Sequence, residues 1–127
     1  MNELMLGREV DESEFGRLDT FAVPEPVLCT FETSELQALC PAVPVIQPDV
    51  YDMTLRYTAV SAAIESKSLK LWLVTFRDQR IFAEYLVSTI GRTVSALEGV
   101  ADVSVRLTQN IRGGLRETVC WPAPVPD

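Results

Sequence analysis

Histidine is absent from this chain. That removes the commonest general base and the commonest metal ligand together. Proton transfer then falls to carboxylates, tyrosines, lysines, water or a bound cofactor. Cysteine is scarce and odd in number: Cys29, Cys40 and Cys120, with no Cys-x-x-Cys spacing. This speaks against a disulfide framework and against a cysteine zinc cluster, so no metal site is expected. Lysine occurs only as Lys67 and Lys70. The net charge of −7 argues against nucleic acid held by a basic surface, but leaves room for a small anion in a local basic pocket. No apolar run approaches the roughly 20 residues a membrane span needs. The stretch from Met1 to Phe15 carries five acids and lacks the apolar centre of a signal peptide. A cytoplasmic protein is expected.

What is present is apolar periodicity of two kinds. Residues 1–26 are acidic, contain Pro24 and Pro26, and read as an arm, partly ordered at best. Val27 to Thr33 alternates as a strand, with Val27, Cys29 and Phe31 on one face, and Ser34 to Cys40 reads as a short turn. Pro41, Pro44 and Pro48 keep the next stretch out of helix, so a structured loop carries Cys40 and Asp49. Val50 to Thr58 is a strand with Tyr51, Met53, Leu55 and Tyr57 on one side. Helix begins near Ser66, with Leu69, Trp72, Leu73 and Phe76 at helical spacing. A break at 77–80 precedes a second helix over 81–97, striped by Phe82, Leu86, Ile90, Val94 and Leu97 and stopped by Gly99. Ala101 to Thr108 is a strand, Arg112-Gly113-Gly114 a turn, and Leu115 to Trp121 the last strand. The tail 122–127 is proline-rich. The order ββααββ predicts an α+β domain over 27–121: a four-stranded antiparallel sheet with two helices on one face. The other face and the sheet edges need cover, and a homo-oligomer that continues the sheet supplies it.

The stretch from Cys40 to Trp72 carries the candidate chemistry. A thiol is mostly protonated at neutral pH, so a nucleophilic Cys40 needs help, and an acid such as Asp49 must protonate whatever the sulfur attacks. Glu65-Ser66-Lys67-Ser68-Leu69-Lys70 sets both lysines beside serines and a carboxylate, as a phosphate site next to a hydrogen-bonding site would. Each residue also has a plainer reading. Cys40 is equally a buried thiol, Asp49 a turn residue, and Glu65-Ser66 a helix start with an acid at the positive end of the dipole. Lys67 and Lys70 are equally a solvated helix face, Glu84 a solvent-facing acid and Arg112-Gly113-Gly114 a hairpin turn. Trp72 and Trp121 read as core or interface.

Taken together, Cys40-Pro41, Gln47-Pro48-Asp49, Glu65-Ser66-Lys67-Ser68-Leu69-Lys70-Leu71-Trp72, Phe82-x-Glu84, Thr89-Ile90-Gly91 and Arg112-Gly113-Gly114 resemble, in order, the landmarks of the QueF family. These are the NADPH-dependent 7-cyano-7-deazaguanine reductases of queuosine biosynthesis, and the likeness spans about residues 34–114. The resemblance implies the tunnelling fold, in which small sheet-plus-two-helix subunits form ring-shaped homo-oligomers with sites between subunits. It implies that Cys40 attacks the nitrile carbon to give a covalent thioimidate and that Asp49 is the acid for the nitrile nitrogen. It implies that Glu65 and Glu84, with Ser66, hold the 7-deazaguanine substrate. Lys67, Ser68, Lys70 and Arg112, with Ser66 adjoining, form the NADPH side. The product is the aminomethyl base after two hydride transfers.

Two departures stand out. The Cys40–Asp49 loop is two residues longer than the family's Cys-Pro-x-Thr-Gly-Gln-Pro-Asp, and Ala83 stands where the family usually has histidine. Both favour an alternative on the same base, free or in nucleic acid, in which ammonia or another nucleophile traps the thioimidate, as in amidine formation, and nothing is reduced; the complete nicotinamide-side motif opposes it. A third class is a non-catalytic ring subunit or base-binding module that kept the fold, and retention of Cys40 and Asp49 opposes it.

Overall fold

The computed structural model describes residues 15–124. The strands are β1 (Thr20–Ala22), β2 (Val27–Leu39), β3 (Pro48–Ala59), β4 (Ala62–Ile64), β5 (Val100–Gln109) and β6 (Thr118–Trp121), and the helices α1 (Ser66–Val74) and α2 (Ala83–Ser95) lie between β4 and β5. The main sheet has the order β2-β3-β5-β6, all antiparallel, and β1 pairs with β4 in a small second sheet. This is the α+β arrangement expected, with both helices contributing to one core.

Strict alternation along β3 decides which face is covered. Tyr51, Met53, Leu55 and Tyr57 are buried, while Asp52 and Arg56 face outward. β5 repeats the pattern with Val103, Val105 and Leu107. Each such side chain contributes about 1.5–3 kcal/mol by leaving water. Helix α1 is nine residues long, too short to persist alone. It is held by its apolar face, Leu69, Trp72 and Leu73, with Phe76 just beyond, all buried. α2 buries Leu86, Ile90 and Val94, the middle of its predicted stripe.

Several boundaries differ from the sequence reading. β3 begins at Pro48 rather than Val50, so Asp49 lies on a strand and not in the loop with Cys40, because Pro48 and Asp49 pair with Leu39 and Ala38. β2 does not turn at Ser34 but runs on to Leu39. A register shift between Thr33 and Leu36 kinks it, so Leu36 and Ala38 re-enter the core. Phe31 and Cys29 pack against the core as expected, but Val27 is exposed. The last strand starts at Thr118, because the turn closes through a separate Arg112–Leu115 bridge that leaves Leu115 in solvent. The second helix is two residues shorter at each end, since Ile81 donates its N–H to Leu39 O instead of entering the helix. The expected arm falls partly on residues 1–14, outside the described residues, as do 125–127 of the tail. Within the rest of it, Thr20–Ala22 is a strand, and Asp19 accepts from Glu65 N through its carbonyl.

Candidate active site

One end of the main sheet gathers four of the predicted residues from three elements and a turn. Cys40 follows β2, Asp49 opens β3, Glu84 lies in the first turn of α2, and Arg112 begins the β5–β6 turn. Backbone pairing explains the gathering. Leu39 N donates to Gln79 O at 2.8 Å and Ile81 N to Leu39 O at 3.2 Å, which clips the approach to α2 onto the end of β2. Cys40 N donates to Gln47 O at 3.0 Å, so the ends of the loop meet. Ala38 pairs with Asp49 and Leu39 with Pro48. The loop is therefore longer yet closes at its base, with Cys40 opposite Gln47 and two residues on from Ala38, the partner of Asp49. Arg80 supports it from outside, donating to the carbonyls of Cys40 at 3.2 Å and Val43 at 3.0 Å.

Asp49 is 5% exposed. Burial pushes its carboxyl above the ordinary carboxylate value, and the Arg112 guanidinium opposes this. Arg112 donates to Pro48 O and lies 3.3 Å from Asp49 Oδ1. A carboxyl that resists ionisation suits an acid that must hold a proton before giving it away. Cys40 is half-buried and unpaired by any disulfide. Glu84 is exposed and hydrogen-bonds Glu117, whose carboxyl is raised first by that bond, then by desolvation and by the Glu84 charge.

The remaining predicted residues follow α1. Glu65 is 1% exposed, and its carboxylate caps the helix: Oε1 accepts from Lys67 N at 2.6 Å and Oε2 from Ser68 N at 3.0 Å. Ser68 is fully buried. Its hydroxyl donates to Glu65 O at 2.7 Å and accepts from Asp19 N at 2.9 Å, so both of its functions are engaged inside the subunit. Ser66 and Lys70 line a cleft of about 270 Å³ between α1 and β2, with Arg77 at the rim and Leu36, Met53 and Leu69 among its apolar wall. Glu32 and Glu35 line the same cleft, so its charge is mixed, and only Lys70 and Arg77 could meet a dinucleotide's phosphate there. The volume is below the roughly 300–1,000 Å³ that encloses a drug-sized ligand, so one subunit encloses only part of such a cofactor.

Three residues here escaped the sequence reading. Arg80 and Glu117 gave no signal without the pairings that bring them in. Tyr51 did: a tyrosine in an apolar stripe must place its hydroxyl somewhere.

Residues 48–124 match the family model described as QueF-like protein. The match takes in Asp49, the α1 hexapeptide, Glu84 and Arg112, and Cys40 lies just before it. The NADPH-dependent 7-cyano-7-deazaguanine reductase of Syntrophus aciditrophicus is 35% identical over 118 residues, which cover 91% of this chain and 81% of the relative. The protein of the same name from Nitrosococcus oceani is 32% identical over 117 residues, 84% and 89% of the two chains. That from Caulobacter vibrioides is 32% identical across 100% of this chain and 91% of its own.

Proposed function

Because the chain belongs to the QueF family, we propose that it reduces the nitrile of 7-cyano-7-deazaguanine to the aminomethyl base. The observation that carries this is the gathering of Cys40, Glu84, Arg112 and a buried Asp49, whose carboxyl burial pushes above its ordinary value, at one sheet end. The Cys40 sulfur adds to the nitrile carbon, one carbon–nitrogen π bond opens, and the nitrogen takes the proton from Asp49. This gives a thioimidate, a far better hydride acceptor than a nitrile. NADPH, when bound, supplies two hydrides per nitrile, each matched by one proton. By the family resemblance, Ser66, Lys67 and Lys70 of α1 and Arg112 of the β5–β6 turn would hold it. Cys40 keeps the carbon in position until the carbon–sulfur bond breaks and the thiol is restored. Glu84 accepts the N–H edge of the base, with Glu65 and Ser66 contributed from a neighbouring subunit.

A ring-shaped homo-oligomer completes the site. β2 is an edge strand of 13 residues whose outer backbone has no partner strand in the main sheet, and such an edge invites pairing with a second copy. Val45, Ile46, Phe82, Tyr85, Ile111 and Leu115 are all exposed, and all belong to the loop, helix start and turn that carry the site. An apolar rim around a polar centre is what a covering neighbour would bury. No helix among the described residues is long and apolar enough to cross a membrane, and we place the protein in the cytoplasm.

The test is to incubate the protein with 7-cyano-7-deazaguanine, with and without NADPH, and to weigh protein and products. Without NADPH, an adduct of the base on Cys40 is expected, lost in Cys40→Ala and kept in Cys29→Ala. With NADPH, two cofactors are oxidised per base and the amine is released. An adduct with no NADPH oxidation sinks the reductase reading and points to amidine formation, which Ala83 in place of histidine favours. Added ammonia then yields the amidine. Absence of any adduct sinks both.

A further inference from the structure

Tyr51 holds the single buried side-chain polar atom without a hydrogen-bond partner among the described residues. The residue is 0% exposed. Buried hydroxyls normally find partners, and leaving one unmet costs about 1–3 kcal/mol. Tyr57 shows what a structural tyrosine on the same stripe does: its Oη accepts from Ile64 N at 2.8 Å, and it also hydrogen-bonds Cys29. Tyr51 does nothing of the kind.

Its position is fixed by pairing. Asp49 precedes it by two residues on the same buried face of β3. Tyr51 pairs with Gln109, and Gln109 N donates to Glu117 O at 2.8 Å, so Tyr51 and Gln109 form one row across β3 and β5 that Glu117, just before β6, continues. On the other side Leu36 pairs with Tyr51, three pairs from the end of β2 where Cys40 begins its loop. Burial first, then the charges of Asp49, Glu117, Glu84 and Cys40, hold the phenol's pKa well above its ordinary value. The Tyr51 hydroxyl is thus a donor within electrostatic reach of Cys40, Asp49, Glu84 and Glu117, with no hydrogen-bond partner in the subunit. Arg112, the nearby cation, is engaged with Asp49 and Pro48 O.

We propose that the Tyr51 hydroxyl donates to the ring carbonyl of the base and is the residue that recognises that oxygen. This rests on the function proposed above. In 7-cyano-7-deazaguanine the carbonyl stands between the nitrile, which goes to Cys40, and the N–H edge, which goes to Glu84. The order of groups on the ligand is the order of groups on the protein. A carbonyl oxygen placed among Asp49, Glu84 and Glu117 needs a donor that is always protonated, and Tyr51 supplies it. The Glu84 and Glu117 side chains are exposed, free to turn toward the ligand's N–H groups.

The experiment is calorimetric binding to the full-length Cys40→Ala protein, with and without Tyr51→Phe, so that no adduct forms. The probes are 7-cyano-7-deazaguanine and its analogue lacking the ring oxygen, 2-amino-7-cyano-7-deazapurine, which also lacks the ring N–H, so each ligand is compared only between the parent and Tyr51→Phe. Tyr51→Phe is expected to weaken the oxo base about 10-fold, the size of one hydrogen bond, and to leave the analogue unchanged. The melting temperature is expected to hold or rise, since an unmet donor is removed. Equal losses for both ligands would make Tyr51 a packing residue and overturn the inference, as would no loss for either. If the Cys40→Ala parent binds neither ligand, the substrate reading falls and the Tyr51 inference with it. That outcome is distinct from a parent that binds the base and a Tyr51→Phe variant that binds it equally well.

Discussion

Arg112 sets a guanidinium nitrogen 3.3 Å from Oδ1 of Asp49 while donating to the carbonyl of Pro48. Two opposed influences therefore meet at one carboxyl: burial raises its pKa and Arg112 lowers it, with burial the larger. The raised value keeps Asp49 protonated above the usual carboxylate range. As pH climbs through it, the proton destined for the nitrile nitrogen is lost. Arg112→Gln removes the lowering influence, so this limb is expected to move to higher pH. The rate of adduct formation on Cys40 against pH, read by mass spectrometry, is the measurement. A limb that stays put or moves to lower pH would show that Arg112 does not tune Asp49. The same shift means the folded state binds this proton more tightly than the unfolded one. Asp49 then draws down stability as pH rises between the ordinary value and its own.

Glu84 is expected to carry most of the base recognition. A carboxylate accepting two N–H groups makes a charged, bidentate contact, and losing it leaves ligand donors unpaired at about 2–4 kcal/mol. Glu84→Ala should weaken binding roughly 30- to 700-fold. Calorimetry on the Cys40→Ala background reads this directly, and an unchanged affinity would remove Glu84 from the recognition site. Glu117→Gln, which keeps a donor and an acceptor beside Glu84, should cost far less.

How much of this was legible follows from what each residue depends on. The β3 stripe and the α1 and α2 apolar faces are local periodicities, so a sequence window contains all the information they need. The two halves of the proposed site were legible by resemblance: Cys40 and Asp49 through their proline-flanked loop, Glu84 through its place after Phe82. The extension of β2 was not, because a bulge at Thr33–Leu36 restores a broken alternation only against its partner strand. β1 and β4, of three residues each, are too short for any periodicity. Glu117 enters only through its alignment with Gln109, a non-local fact. Ser68 shows what a motif leaves out. Motif position put it on the cofactor side, and the subunit adds that it is buried and that its two hydrogen bonds tie α1 to the segment before β1.

α2 approaches β6 at Gly91, where a Cβ would lie 2.2 Å from Trp121 Cε3 and 2.3 Å from Cδ2. Alanine would gain about 1 kcal/mol of helix propensity, but overpacking against a ring costs typically 1–3 kcal/mol and more for direct overlap. Gly91→Ala is expected to lose about 1–2 kcal/mol net, roughly 3–8 °C in melting temperature for a domain of this size. An unchanged or raised melting temperature would mean that the half-buried indole swings aside freely.

Glu65 carries two readings that one variant series can separate. Inside the subunit its carboxylate satisfies the N–H groups of Lys67 and Ser68, and its backbone N–H is met by Asp19 O. Loss of a good cap costs about 0.5–2 kcal/mol, and burial places Glu65 at the upper end, because water does not reach the freed donors. Glu65→Ala should therefore lower the melting temperature by roughly 5–10 °C. Glu65→Gln keeps the length and one accepting oxygen but drops the charge, so it should retain about half of that stability. If Glu65 also reaches the base across a subunit boundary, Glu65→Gln will lose base affinity out of proportion to its small thermal change. If it is a cap alone, affinity and melting temperature will fall together, and neither will fall far. Because Glu84→Ala removes an exposed side chain, its melting temperature should barely move while its affinity collapses. It is the internal standard against which the Glu65 variants are read.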